Sequence, residues 1–226
     1  MNEIKLQYIV RPAEPEPVAR FRERVLELLV PELLARAPRR LTLHLSLDPP
    51  RLSVIPLRRR PLALVSIWQE PGATGDWFLP LSRLGRVSGY RVVESVPRDY
   101  ERDWPEGAPT PGVGLLTLFS RRPGQDQEAF LRAWHGGHTP LSLEIHPIWR
   151  YERNLVESVI LEGSPPHDGI VEEHFRQRED LLSPPRFFGG AARMLPNMLR
   201  VALDIRRFIH LPGLESYLVS EHRLRG

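Results

Sequence analysis

The chain has 226 residues, 41% hydrophobic and 26% charged, which is ordinary for a folded globular protein of one large or two small domains. It contains no cysteine, which excludes disulfides, thiolate nucleophiles and thiolate metal sites. The net charge is only +3 and the arginines are spread among acidic residues, so we expect no nucleic-acid partner. No apolar run is long enough to span a membrane, and the first residues do not resemble a signal peptide. We therefore expect a cytoplasmic protein without a membrane partner.

The first half of the chain alternates strand-like and helix-like patterns. An apolar run at 4–10 predicts a strand, and Phe21, Val25, Leu28 and Leu29 then recur at helical spacing. Leucines at every second position of 41–47 predict a half-buried strand. A strand at 62–68, a short helix at 75–85 and a strand at 89–96 complete the order βαββαβ.

The second half repeats this order after a segment at 98–112 that is rich in proline, glycine and charge. We place a linker at 105–112, between halves that span 1–104 and 113–226. The predicted elements of the second half are strands at 113–122, 149–161, 168–176 and 214–224, with helical regions at 126–145 and 179–209.

Two βαββαβ units predict an α+β protein in which two tandem ferredoxin-like halves pack sheet to sheet as one pseudo-dimeric α+β barrel. Each unit is an antiparallel sheet with helices on one face, and the second sheet covers the other face. A homodimer is not needed to close such a barrel, although the sequence leaves one open.

Three stretches of the second half, at 115–141, 150–156 and 168–175, resemble the EthD family of the dimeric α+β barrel superfamily. The matching residues are Phe130, Trp134 and His138, spaced by four, followed by Tyr151 and Asn154. The first half resembles a diverged copy, with Val25 and Leu29 at the corresponding spacing, so the resemblance implies one site rather than two.

The family is functionally diverse, and its members are similar to proteins of degradation pathways and polyketide tailoring. Related barrels include cofactor-free monooxygenases, muconolactone isomerases, cyclases and haem enzymes. The resemblance therefore implies the fold more strongly than the reaction.

The stretch "AWHGGHTPL" at 133–141 holds the principal candidate. Helical spacing places His138 on the face of Phe130 and Trp134, toward the sheet, with His135 about 100° away near the helix edge. The two glycines weaken the helix and Thr139-Pro140 is typical of an N-cap, so we expect the helix to stop at Gly137 and restart at Thr139. A neutral imidazole at that junction can act as an acid or base.

Other roles stay open for these histidines. His138 can equally be a structural histidine bonded to a carbonyl, and His135 and His138 can share a metal if Glu172, Glu173 or His174 supplies a third ligand. Strand alternation places Glu173 on the face of Val171 and Phe175, within reach of His138, although an ion pair with an arginine is the alternative.

We predict that His138 is the catalytic acid/base, with no metal site. The predicted ligand-binding residues are Trp134, Tyr151, Glu173, His135 and Phe130. No Gly-rich dinucleotide loop, Walker motif, G-x-S-x-G or H-E-x-x-H is present, so we expect no cofactor.

The predicted function is binding of a hydrophobic or cyclic small molecule in a catabolic or polyketide-type pathway, and whether the protein also transforms that molecule stays open. The chemistry would be that of a lyase, isomerase, cyclase or cofactor-free oxygenase. The alternative is a non-catalytic ligand-binding or accessory protein for a partner enzyme, and a haem or metal protein ranks third.

Overall fold

The computed structural model describes residues 3–73 and 75–226. Eight strands run through these residues: β1 Ile4–Pro12, β2 Arg40–Ser46, β3 Ala63–Gln69, β4 Gly85–Arg98, β5 Val113–Phe119, β6 Arg150–Val159, β7 Gly169–Phe175 and β8 Glu215–Arg225. The α-helices are α1 Val18–Arg24, α2 Val30–Ala35, α3 Phe78–Ser82, α4 Gln127–Leu131, α5 Thr139–Ile145, α6 Arg178–Leu182, α7 Pro184–Phe187 and α8 Met194–Ile205. None of the described helices is both long and apolar enough to cross a membrane.

The strands form one closed barrel in the order β1-β3-β2-β8-β5-β7-β6-β4, with antiparallel pairing throughout. Pairing of β2 with β8 and of β4 with β6 joins the two halves of the chain. This confirms the expected α+β class and barrel. Because every strand has two neighbours, the sheet has no open edge for another chain to extend.

Strand alternation divides the core into an outer layer under the helices and a barrel interior. On β7, Val171 and Phe175 pack in the outer layer, whereas Ile170 belongs to the interior. Apolar residues including Ile9, Tyr90 and Leu116 form an interior cluster.

The barrel interior also holds a network of buried ionisable side chains, which the sequence did not predict. Lys5 on β1 contacts Glu152 on β6, and Arg150 contacts the same carboxylate. Glu172 accepts hydrogen bonds from Gln7 at 2.7 Å and from Asn154 at 2.9 Å. Since these groups lie on β1, β6 and β7, the network connects the two halves through their side chains.

The segment at 98–112, which includes the expected linker, packs against this polar part of the barrel. Tyr100 and Thr110 both donate to Glu221 of β8, and both are buried. The rings of Tyr100 and Trp149 have their centroids 4.8 Å apart. The connection between the halves is therefore an ordered part of the protein core.

The long helical region of the second half is continuous, contrary to the predicted break. A wide π-type turn over Arg132–His138 joins α4 to α5, and His138 and Thr139 both have helical dihedral angles. The Thr139 N–H donates to the Trp134 carbonyl, five residues back, which leaves room for the ring of Pro140. The expected N-cap at Thr139 was wrong, because its hydroxyl also donates to the Trp134 carbonyl.

The first half has a similar wide turn. It covers Val25–Leu29, between α1 and α2, and also precedes a proline, Pro31. Phe21, Val25, Leu29 and Pro31 lie 109 positions before Phe130, Trp134, His138 and Pro140. Leu29, at the position of His138, is buried in the apolar cluster of the first half.

Candidate functional site

A pocket of about 270 Å³ lies in the second half between the outer face of the barrel and the helices. Strands β5, β7 and β8 form its floor, and α5, α8 and the loop at 54–56 form its walls. Most of its lining is apolar, and its polar side chains are Thr117, His138, Ser142, His146, Glu173 and Ser216. Surface depressions of 500 and 630 Å³ exist elsewhere, but several charged side chains line each of them. An apolar pocket with a few convergent polar groups is typical of a small-molecule site.

His138 is held between two partners. Its Nδ1 lies 2.9 Å from Asp204 Oδ2 on α8, and its Nε2 lies 3.1 Å from the Ser142 hydroxyl on α5. The carboxylate accepts a hydrogen bond and therefore favours the tautomer that carries its proton on Nδ1. Nε2 is then the basic nitrogen, and Ser142 donates to it.

The wide turn helps to place His138 at this position. The buried rings of Phe130 and Trp134 anchor the preceding turns in the outer core. The centroids of the His138 and Phe208 rings are 5.2 Å apart, and the His138 side chain is 14% exposed. His138 is thus partly buried and oriented, but still in contact with the pocket.

Glu173 enters the same pocket from β7. It lies opposite Tyr151 on β6 and Leu115 on β5. Burial raises the pKa of Glu173 to about 7, and no cationic neighbour offsets this shift in the described part of the chain. A carboxyl group of this kind can accept or donate a proton near neutral pH.

His146 is a third titratable group of the pocket, and sequence reasoning missed it. Its Nδ1 donates to the Phe187 carbonyl at 2.8 Å, and its ring stacks on Phe187 with centroids 4.0 Å apart. Burial lowers the pKa of His146 to about 4, so the ring is neutral at neutral pH. Its Nε2 is therefore a hydrogen-bond acceptor.

Several predicted ligand-binding residues do not line this pocket. Phe130, Trp134 and Tyr151 are almost fully buried in the outer core. Tyr151 keeps its proton, because burial raises the pKa of its phenol. These residues support the pocket from behind and present little surface to a ligand.

His135 also lies outside the pocket. The centroids of its ring and of the Trp134 ring are 4.7 Å apart, and its Nε2 is buried with no hydrogen-bond partner among residues 3–73 and 75–226. Burial lowers the pKa of His135 to about 4, with a contribution from the charge of Arg153. The two histidines of "AWHGGHTPL" thus occupy different environments.

The open question of a shared metal site also has a structural answer. Glu172 and His174 are directed into the barrel interior, on the opposite face of β7 from Glu173. Over residues 3–73 and 75–226, no group of three or more His, Asp or Glu side chains is placed to hold a metal ion.

Asp204 was not among the predicted site residues. It lies 66 positions from His138, and no spacing rule connects two helices across that distance. One signal was available, because Asp204 is the sole acidic residue between Asp180 and Glu215 in a segment with several arginines.

The chain was compared with known proteins. No family model and no curated protein matches it. A crystal structure of an anthrone oxidase-like protein superimposes with a TM-score of 0.67 at 10% identity, covering 99% of this chain and 94% of that one. The likeness shows that the two chains share a fold.

Two further crystal structures have the same fold. A candidate monooxygenase from Fusobacterium nucleatum has a TM-score of 0.57 at 10% identity, covering 99% of this chain and 95% of its own. One from Lactobacillus acidophilus has a TM-score of 0.51 at 9% identity, covering 100% and 98%. At these identities the likeness concerns the fold, and the chemistry has to be argued from the site.

Proposed function

We propose that this protein binds a hydrophobic or cyclic small molecule in the pocket of the second half and transforms it with His138 as acid and base. The observation that carries the proposal is an imidazole oriented by Asp204, 2.9 Å away, at an apolar pocket that also contains Glu173. A carboxylate behind Nδ1 holds the ring in place and fixes the tautomer that leaves Nε2 as the proton-accepting nitrogen.

The pocket residues supply both directions of proton transfer. Nε2 of His138 removes a proton from the bound molecule, with the Ser142 hydroxyl turning aside or relaying the proton. Glu173 can return a proton or donate a hydrogen bond to the oxygen of an enolate, since its pKa is about 7. The apolar walls exclude water and strengthen these interactions.

One structural neighbour is named as anthrone oxidase-like and two as monooxygenases, and these names suggest oxidation of an anthrone as a reaction class. An anthrone carries a CH₂ group between two aromatic rings, and its loss of a proton gives an enolate stabilised by the ring ketone. Dioxygen can oxidise this enolate, so that anthrone and O₂ yield anthraquinone and water. The protein would supply the base, the orientation and a dry site.

We extend the proposal to the ancestry of the chain, as a tandem of two ferredoxin-like repeats related to the EthD family. The constant offset of 109 positions between Phe21, Val25, Leu29 and Pro31 and their counterparts supports this. The two wide turns also support it. So does the strand order, which is β4-β1-β3-β2 in the first half and β8-β5-β7-β6 in the second. In each half the first and third strands lie in the middle.

A non-catalytic binding protein is the alternative function. The observation that favours it is the hydrogen bond from Ser142 to Nε2, which engages the basic nitrogen of His138 in the unliganded protein. Binding and catalysis therefore need separate tests.

Binding is tested with N-phenyl-1-naphthylamine, a neutral aromatic probe whose fluorescence rises in an apolar site. Val201 lines the pocket from α8, whereas Leu199 on the same helix is exposed and does not. We expect Val201→Trp to fill the pocket and weaken probe binding at least tenfold, with little change in Leu199→Trp. Equal affinity in wild type and Val201→Trp would show that the probe binds elsewhere and would contradict the proposal.

A further inference from the structure

Helix α8 is apolar on two opposite faces. Its inner face, with Met198, Val201 and Ile205, packs on the second half and lines the pocket. Its outer face carries Leu195, Leu199 and Leu203 at i, i+4 and i+8, and these leucines are 69%, 61% and 55% exposed. A contiguous patch of exposed leucines is a feature that marks interaction surfaces.

Basic residues accompany this leucine row. Residues 191–210 contain Arg193, Arg200, Arg206 and Arg207, all exposed, against one acidic residue. That acidic residue, Asp204, is mostly buried, contacts His138 and lies 3.8 Å from Arg207. Arg206 lies eleven positions after Leu195 and so falls on the leucine face itself, while Arg200 is paired with the exposed Glu144.

Further apolar side chains are exposed on the other wall of the pocket. Val54 of the loop at 54–56 lines the pocket and is 45% exposed, and Leu52, two positions earlier, is 90% exposed. Leu211, six positions after the end of α8, is also exposed. Exposed apolar side chains thus occur on or near both walls of the pocket.

A second copy of the chain fits this surface poorly. A two-fold contact would place the arginines of one copy against those of the other. A surface that is apolar and basic is complementary to an anionic lipid surface, into which leucines insert while arginines contact the headgroups.

We propose that the outer face of α8 docks the protein reversibly on anionic membrane surfaces. This departs from the expectation of no membrane partner, which rested on the lack of a spanning segment and did not consider surface association. The inference does not depend on the reaction proposed for His138.

The test is flotation of the purified full chain with phosphatidylcholine vesicles, with and without 30% phosphatidylglycerol, at low and high salt. We expect wild type to float with the anionic vesicles at low salt and to bind at least tenfold less to neutral ones. Leu195→Gln/Leu199→Gln/Leu203→Gln should lose at least tenfold in partitioning. Arg193→Gln/Arg206→Gln should lose about fivefold for each arginine removed.

Leu28→Gln/Leu79→Gln is the matched control, because these leucines are 61% and 48% exposed on helices of the first half. It should float like wild type. Absence of wild-type binding to anionic vesicles, or equal loss in the control, would overturn the proposal. So would a dimer in light scattering that the α8 triple variant dissociates, which would assign the face to a second copy. Probe binding in the pocket, measured without vesicles, is a separate readout of the proposed function.

Discussion

At the scale of single residues, the pocket separates two histidines that are three positions apart. His138 is bonded to Asp204 and Ser142, whereas His135 packs on Trp134 with a buried, unpartnered Nε2. The two imidazoles differ in their neighbours. A carboxylate that accepts a hydrogen bond from one ring nitrogen fixes the tautomer and leaves the other nitrogen as the proton acceptor.

The tautomer of His138 gives the first prediction. Wild type should show an unprotonated Nε2 and a protonated Nδ1 in long-range ¹H–¹⁵N NMR spectra recorded at a pH where histidine is neutral. In Asp204→Asn the amide N–H can donate to Nδ1, so the proton should move to Nε2. The His146 signals are the control, because that ring is bonded to the Phe187 carbonyl. A protonated Nε2 in wild-type His138 would contradict the assignment.

Glu173 gives a prediction for stability against pH. Its pKa is about 7 in the folded protein, above its ordinary value of 4.5, so the folded state holds the proton more tightly than the unfolded state. The free energy of unfolding should therefore fall as pH rises from 4.5 through 7, by up to about 3 kcal/mol from this group.

Glu173→Gln should remove that part of the pH dependence and raise stability at pH 8 relative to wild type. Urea denaturation of both proteins at pH 5 and pH 8 measures the effect. Glu157→Gln, at an exposed carboxylate, is the control. If Glu173→Gln leaves the difference in stability between pH 5 and pH 8 unchanged, the carboxyl group is not buried as described.

The sequence identified part of the site. Helical spacing and strand alternation directed His138 and Glu173 toward the same space, and both line the pocket. Asp204, Ser142 and His146 were missed. Asp204 joins the site through the packing of two helices that are far apart in sequence. Ser142 lies on α5 and His146 directly follows it. Because the sequence predicted a break before this helix, it did not show which way these two side chains point.

At the scale of secondary structure elements, the wide turn before Pro140 keeps the helix continuous where glycines and a proline suggested a break. The ring of Trp134 then packs against Gly169 on β7, together with Phe119. Helix propensity alone could not predict this continuity. The free-energy cost of two glycines in a helix is small beside the free energy gained when Phe130 and Trp134 are buried.

Two glycine substitutions test this packing. A Cβ at Gly169 would lie 2.4 Å from the Phe119 ring and 2.9 Å from the Trp134 ring, so Gly169→Ala should destabilise the protein by about 1–3 kcal/mol. A Cβ at Gly136 meets nothing within 4 Å, so Gly136→Ala should stabilise the helix by about 0.5–1 kcal/mol. Thermal unfolding of both variants measures the contrast, and a neutral Gly169→Ala would contradict the close approach of strand and helix.

At the scale of the whole molecule, the barrel is closed by strand pairs between the halves and connected inside by ionisable side chains. Lys5 contacts Glu152, and the Nζ of Lys5 also lies 3.0 Å from Glu94 Oε1. Burial opposes charge on Glu152, but Lys5 and Arg150 hold its pKa well below the usual range. Glu152 thus depends on Lys5 from β1 and on Arg150 from its own strand.

Loss of one cation should therefore be costly. Lys5→Met leaves Glu152 with one cationic partner fewer in the barrel interior and should destabilise the protein by about 3–5 kcal/mol. Arg91→Met, at an exposed ion pair with Glu157, should change stability by less than about 1 kcal/mol. Chemical denaturation compares the two, and equal effects would show that the interior network contributes no more than a surface pair.

The fold was more predictable than its interior. Hydrophobic periodicity gave the strands and the α+β class, because each strand has an apolar face under the helices. The ionic interior could not be predicted, since polar residues such as Lys5 and Glu172 on alternating strands look like a solvent-exposed face. Only barrel closure, through β2 with β8 and β4 with β6, turns that face inward.

The rate of anthrone oxidation under air tests the central claim most directly, measured as O₂ uptake and anthraquinone formation in wild type, His138→Gln and His135→Gln. The account predicts that wild type accelerates the reaction, that His138→Gln lowers the rate about 100- to 10,000-fold, and that His135→Gln stays close to wild type. A wild-type rate no higher than that of His138→Gln, with probe binding intact in both, would contradict catalysis by His138 and leave a binding protein.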